Sequence, residues 1–365
     1  MTDIQIPDDC LYFIFQRLDS SYDRESFGLT CHCWLRIQNS SRRSLRLTEI
    51  NSYHLYRLLA RFTNLHSLSL SCCTELPDPG LSVLVRYGLK LQRLNLDCCF
   101  GITDHGLSYV ASGCPFLTII SLYRCSVTDT GLETLSKSCS SLADVNLSYC
   151  SLISDIGIRA LSENCLCLRA VSISHCRNMT GIGFRGCSNT LVYLEADSCK
   201  LDPEGIRAVV SGGGLEYLNI SNLSWCVRGH GLADIDSLYV SNLKVLNFRL
   251  CRTIGDEAIV KIATGCPLLE EWNLALCHEV RIEGWESIGL NCRRLERLHV
   301  NRCQNLCDQG LRGLRDGCKR LRRLYLGRCR RLSWTAVEMF KCLRGDVRIV
   351  DEEVMCIAPE WAFRL

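Results

Sequence analysis

No apolar run in this sequence approaches the ~20 residues that a membrane-spanning helix needs. The first residues, MTDIQIPDD, are polar and acidic, so no secretory signal is expected there. The net charge of +3 over 365 residues is too small to make nucleic acid or a membrane surface the main partner. Histidines number only 8 and are scattered, and neither a nucleophile elbow nor an H-E-x-x-H motif occurs. A G-x-x-x-x-G-K-[ST] phosphate loop is also missing. Together these absences argue for an intracellular protein of nucleus or cytoplasm, with no catalytic residues and no cofactor. At 47% hydrophobic and 22% charged residues, the chain has a globular composition.

Cysteine, by contrast, is abundant at 27 residues. A chain this long is not a small disulfide scaffold. Structural zinc needs paired C-x-x-C spacing, which Cys31–Cys33, Cys72–Cys73 and Cys98–Cys99 lack, so no metal site is expected.

Their positions explain them. The pattern L-x-x-L-x-L-x-x-C begins at Leu65, Leu91, Leu117, Leu142, Leu168, Leu191, Leu215, Leu243, Leu269, Leu295 and Leu321. The steps are 26, 26, 25, 26, 23, 24, 28, 26, 26 and 26 residues. Ten of the eleven units carry cysteine at the ninth place, from Cys73 and Cys99 to Cys329, with Leu223 the exception. Random scatter of 27 cysteines over the chain would put fewer than one in those eleven places. A 20–29-residue period with this consensus marks leucine-rich repeats. L-x-L alternates at period 2, as a strand with one apolar face does. At the turn that follows, a thiol is compact, mostly apolar and a weak donor for an inward backbone group. Stacked coils should align these thiols in a ladder.

Each unit then continues with ITDHGL (102–107) or an equivalent: VTDTGL (127–132), ISDIGI (153–158), MTGIGF (179–184), LDPEGI (201–206) and LCDQGL (306–311). Thr or Ser before Asp signals a helix start, with the acid at the positive end of the helix dipole. A second cysteine column closes these helices at Cys114, Cys139, Cys165, Cys187, Cys266, Cys292, Cys318 and Cys342. The fold class expected is α/β: a leucine-rich-repeat solenoid whose parallel strands line a horseshoe, with helices outside. At ~4.8 Å per strand the inner arc is roughly 50 Å long.

Residues 1–44 do not follow the period. Leu11, Ile14, Phe15 and Leu18 fit one helical face opened by Pro7, Asp8 and Asp9. Further short helices are expected over about 23–31 and 33–39. The segment, with Ile6-Pro7-Asp8, Leu11, Ile14-Phe15, Leu18, Asp23-Arg24, Ser26-Phe27, Thr30-Cys31, Trp34 and Ile37, resembles an F-box. Its opening Ile-Pro departs mildly from the usual Leu-Pro. Followed by cysteine-containing repeats, it is similar to the F-box/leucine-rich-repeat family over nearly the whole chain. The expected organisation is a three-helix F-box over 1–44, a capping strand and helix over 45–64, repeats over 65–346, and a cap and tail over 347–365. The tail is expected to cover the open edge of the last coil, with Trp361 and Phe363 as possible contacts on the inner face.

The resemblance implies the substrate-recognition subunit of an SCF-type ubiquitin ligase. An F-box docks on a Skp-type adaptor, which joins a cullin and a RING protein, while the repeats hold a protein substrate. By match, the adaptor-facing residues here are Ile6, Pro7, Leu11, Ile14, Phe15, Leu18 and Trp34, each alternatively an ordinary core residue. A leucine-rich-repeat scaffold or inhibitor without a ligase role is the other reading.

The substrate face is expected along the inner strands. Its central column reads Ser69, Asn95, Ser121, Asn146, Ser172, Glu195, Asn219, Asn247, Asn273, His299 and Tyr325. From Arg293 to Arg348 there are sixteen Lys or Arg against five Asp or Glu, a net of +11, which leaves −8 for the rest. Arg297, His299, Arg302, Arg323, Tyr325 and Arg328 are therefore the candidate substrate contacts, for an acidic or phosphorylated segment. The alternative is a solvated basic flank. The long unit NLSWCVRGHGL (222–232), with Trp225 and His230, reads as a tolerated insertion or a functional loop.

Overall fold

The computed structural model describes residues 6–223, 241–355 and 357. Trp225, His230, Trp361 and Phe363 lie outside the described residues. Three helices open the chain: α1 (Asp8–Gln16), α2 (Ser21–Thr30) and α3 (His32–Ser41). Leu11, Phe15, Phe27 and Ile37 form their small core, with Trp34 packed at a tilt against Phe27 at 4.3 Å between ring centroids. Arg36 pairs with Asp8 at 2.8 Å and ties α3 to the start of α1. The unit meets the repeats through Arg61, whose Nε donates to Asn39 Oδ1 at 2.9 Å, and Asn64, whose Nδ2 donates to the Ser40 carbonyl.

Thirteen three-residue strands follow among the described residues, all parallel and paired in chain order. The first is β1 (Ser44–Arg46) and the last β13 (Arg348–Val350). Register is unshifted from coil to coil: Leu68 sits opposite Leu94, and Leu298 opposite Leu324. Outer helices such as Asp104–Gly113, Asp129–Ser138 and Asp155–Asn164 pack in sequence behind the sheet. Their inward residues, Leu107, Leu132, Leu135, Ile158 and Leu161, are fully buried. One continuous core runs from Leu45 to Val347, as expected when no coil can bury its own apolar face. Among the described residues no helix is long and apolar enough to cross a membrane.

The thiols form the expected ladder. Cys99 Sγ donates to the Leu70 carbonyl at 3.1 Å, Cys125 to Leu96 at 3.0 Å, Cys150 to Leu122 at 3.0 Å and Cys176 to Leu147 at 3.1 Å. The same carbonyl closes the turn of its own coil: Leu96 O also accepts from Cys99 N at 3.1 Å. Each such carbonyl thus receives one bond from its own coil and one from the next. Burial pushes the Cys99 and Cys176 thiols up to about 12 and Cys150 to about 11. They therefore keep the proton that the bond requires. The described cysteines are all free thiols, and Leu223, 8% exposed, fills the rung that lacks one. Just before each rung the backbone is left-handed, as at Cys98, Arg124, Tyr149 and His175 with φ of 57–64°.

A second ladder links the helix starts. The Thr103 hydroxyl caps its own helix by accepting from His105 N. The aspartate beside it reaches the next coil: Asp104 accepts from Thr128 N at 2.8 Å and from the Thr128 hydroxyl at 2.5 Å. Asp129 accepts likewise from Ser154 N and Oγ, and from Gly157 N at 3.0 Å. This explains the glycine of the motif. A Cβ on Gly131 would lie 2.3 Å from Asp104 Oδ1, so the carboxylate occupies the space of the missing side chain.

Three expectations change. MTGIGF starts only a three-residue 3-10 turn, Ile182–Phe184, because Gly181 replaces the acid and takes a φ of 96°. Cys342 is exposed inside the last helix, Trp334–Leu343, and does not close it. Arg344 stands in that column as the C-cap, its guanidinium donating to the carbonyls of Arg315, Cys318, Lys319 and Leu321. The tail does more than cover an edge. β13 extends the sheet, and the chain beyond it turns onto the inner face.

Replacing Asp129 with Ala leaves two N–H groups and one hydroxyl without their acceptor and should cost about 2–3 kcal/mol, measurable by urea unfolding. Asp308 gives a pH test. Bonds from the Ser333 N–H and hydroxyl hold its carboxyl below the ordinary value of 3.8. A depressed folded pKa contributes stability above the unfolded pKa and loses it as pH falls through the folded one. Thermal melts between pH 5 and 2.5 should therefore fall less steeply for Asp308→Asn than for the parent.

Candidate functional site

Two surfaces carry the sequence-derived candidates. On the helical unit, Ile6 and Ile14 are 42% and 41% exposed, and Pro7 is exposed as well. Leu18 and Trp34 are half-buried against the small core. Leu11 and Phe15 are buried in that core, so they support the surface from below and do not line it. Three residues that the helical stripe did not single out are the most exposed: Phe13 at 64%, Tyr22 at 75% and Leu29 at 85%. The signal was present in LYFIF (11–15). Five consecutive apolar residues cannot share one helical face, so some had to face outward. Tyr22 and Leu29 stand seven residues apart on α2, on one side of it.

The inner face of the sheet is more closed than the strand pattern implies. Its asparagines are turn elements: Asn95, Asn146, Asn219, Asn247 and Asn273 each accept the N–H two residues on, at 2.9–3.0 Å. Ser121, Asn219, Asn247 and Asn273 are buried. Glu195 accepts from the hydroxyls of Tyr193 at 2.9 Å and Tyr217 at 2.7 Å and from Asn219. The two tyrosine rings stack at 4.3 Å. Burial pushes the Glu195 carboxyl upward against these bonds. Nearby, Arg124, Tyr123, Tyr149 and His175 form a run of ring contacts, Tyr149 stacking on His175 at 4.2 Å.

At the basic end, His299 is not a free contact. It is 1% exposed, its ring stacked on Tyr325 at 3.9 Å and bonded through Nε2 to Glu271 at 2.9 Å. Glu271 also accepts from Arg297 Nε at 2.7 Å. Arg302 is half-exposed and faces Glu353 at 3.4 Å. Arg323 and Arg328 are exposed. Arg249, which the local charge density did not select, makes the shortest bond to the returning tail, from Nη2 to Glu353 Oε1 at 2.6 Å. Among the described residues no group of three or more His, Cys, Asp or Glu could hold a metal ion.

The leucine-rich-repeat family matches at residues 138–162 and 241–263. F-box/LRR-repeat protein 12 of Arabidopsis thaliana is 59% identical, with 98% of this chain and 95% of that protein covered. The chain belongs to the F-box/leucine-rich-repeat family. Among solved structures, a chain of the Rad7 and Elc1 complex of yeast has a TM-score of 0.51 at 17% identity, covering 94% of this chain and 93% of that one. An internalin from Listeria monocytogenes has a TM-score of 0.59 at 16% identity, covering 94% and 87%. At such identities these two neighbours speak for the fold alone. In this F-box/leucine-rich-repeat protein, the helical unit and the inner sheet face are thus the surfaces where function is to be sought.

Glu271 holds the basic end in place. Its change to alanine strips the buried His299 of its partner and should lower stability by about 2 kcal/mol. Thermal denaturation would register this, and a variant as stable as the parent would show that the bond is dispensable.

Proposed function

We propose that this protein is the substrate-recognition subunit of an SCF-type ubiquitin ligase, acting in the nucleus or cytoplasm. The three-helix unit docks on a Skp-type adaptor, and through it on cullin and RING subunits. The inner face of the repeats holds a protein substrate for ubiquitination and degradation. The chain itself is not catalytic, since transfer of ubiquitin belongs to its partners. The observation that carries this reading is the apolar surface left open on a minimal helical unit. Ile6, Phe13, Ile14, Tyr22 and Leu29 are all more than 40% exposed beside a core of four buried residues. Exposed apolar groups of this size mark an interface. The membership of the family supports the assignment, and a plain scaffold has no need of such a surface. At the other end, the exposed Arg323 and Arg328, with Arg302, suit an acidic or phosphorylated segment of the substrate.

Changing Phe13 and Ile14 together to Asp should abolish co-purification with a Skp-type adaptor, at least tenfold by quantitative pull-down. The repeats should stay folded, as judged by circular dichroism. Deleting residues 1–44 should give the same loss. A parent chain that captures no adaptor would remove the ligase reading and leave a repeat scaffold, whereas undiminished capture by the double variant would move the docking surface off Phe13 and Ile14.

A further inference from the structure

After β13 the chain crosses the sheet from its last strand back toward β9 (Val245–Asn247). Asn301 Nδ2 donates to the Glu352 carbonyl at 3.3 Å, and Asn273 Nδ2 to the Val354 carbonyl at 3.4 Å. Between these two weak bonds stands Glu353. One of its carboxylate oxygens accepts from Arg249 Nη2 at 2.6 Å and Nε at 3.2 Å, and the other faces Arg302 at 3.4 Å. The side chains of Arg249 and Glu353 are only 12% and 21% exposed. Two guanidiniums from coils two repeats apart thus converge on one carboxylate.

We infer that Arg249 and Arg302 form a carboxylate clamp that reads an acidic peptide segment of the substrate, and that Glu353 is the chain's own stand-in for that segment. The inference rests on the reading of the inner face as the substrate site. Three features favour an occupant that can leave. The strap adds no strand to the sheet beyond Val350. Its two backbone anchors are long amide bonds, so its polar hold on the face comes mainly through one side chain, with Val354 half-buried and Ile357 buried beyond it. Among the described residues, the buried Nδ2 of Asn247 and Oδ1 of Asn301 have no hydrogen-bond partner, so the described part of the strap covers the face without satisfying it. The ligand chemistry follows from the arginine fork, which matches a carboxylate bidentately. Arg323 and Arg328, exposed at the same end, extend the positive field for further acidic residues. A peptide carrying one or two glutamates would lose to the tethered strap, which acts at high effective concentration. A more acidic segment, or one held at a second point, would displace it.

The test uses a fluorescent peptide of the strap's own sequence, VDEEVM, and anisotropy on three purified proteins: the full chain, the full chain with Glu353→Gln, and a chain ending at Val350. The shortened chain should bind the peptide at least tenfold more tightly than the full chain, and the Glu353→Gln chain at least threefold. Arg249→Ala in the shortened chain should erase the gain, and so should a peptide with both glutamates changed to glutamine. Equal binding by all three proteins overturns the inference, as does weaker binding by Glu353→Gln. That point variant decides the matter if the shortened chain does not fold. Adaptor pull-down from the same samples separates the two readings. Retained adaptor with unchanged peptide binding removes only the clamp, whereas lost adaptor binding removes the ligase assignment and leaves the peptide result standing.

Discussion

At nearly every turn a buried carbonyl is paired twice, a thiol from the following coil supplying the second bond, with Leu223 filling the rung that has no thiol. The regular stacking of the solenoid rests on this pairing. The carbonyl of Leu96 accepts from its own Cys99 N–H and from the Cys125 thiol. A sulfhydryl is a weak donor, but a buried carbonyl left short of a partner is worse. Desolvation makes the arrangement durable, because it raises the thiol pKa and keeps the donor protonated. The residue ahead of each rung is forced into left-handed backbone so that the chain can swing the thiol inward. Twelve non-glycine residues accept that conformation among the described positions, at about 1–2 kcal/mol each. The stack as a whole offsets that strain.

The aspartate ladder solves the same problem on the helix side. A carboxylate from one coil occupies the N-terminal donors of the next, where the helix dipole also favours it. Because that carboxylate sits where a Cβ would be, the motif needs glycine at Gly106, Gly131 and Gly157. Each ladder joins neighbouring coils, the thiols reaching one coil back and the aspartates one coil forward. The regularity breaks locally at Gly181 and Leu223 and ends at the N-terminal helices and the tail, next to which the candidate surfaces lie.

What was legible in the sequence follows from this repetition. Columns that keep one residue type, such as the rung cysteines and the Asp-x-Gly starts, could be read without any structure. Columns whose chemistry changes could not. Arg344 replaces the helix-closing cysteine, and Cys342 two places earlier took its position in the pattern. The left-handed column holds Glu, Cys, Arg, Tyr, His, Ser, Asn and Leu, which share no property a pattern could find. The inner face was misjudged for another reason. Strand alternation gives a residue's side but not its exposure, and His299 and Asn273 are closed over by neighbouring coils and the returning tail. Arg249 escaped notice because its partner is 104 positions away, a contact that no local pattern carries.

The rung thiols have one more property. Cys99, Cys176, Cys251 and Cys303 are buried at rest and held protonated by that burial, so a soluble alkylating reagent can reach each only when its own coil parts from its neighbour. The solenoid therefore carries a chemical gauge in nearly every turn. The relative labelling of Cys99, Cys176, Cys251 and Cys303 would chart how often each section of the arc breathes, with no probe added to the molecule.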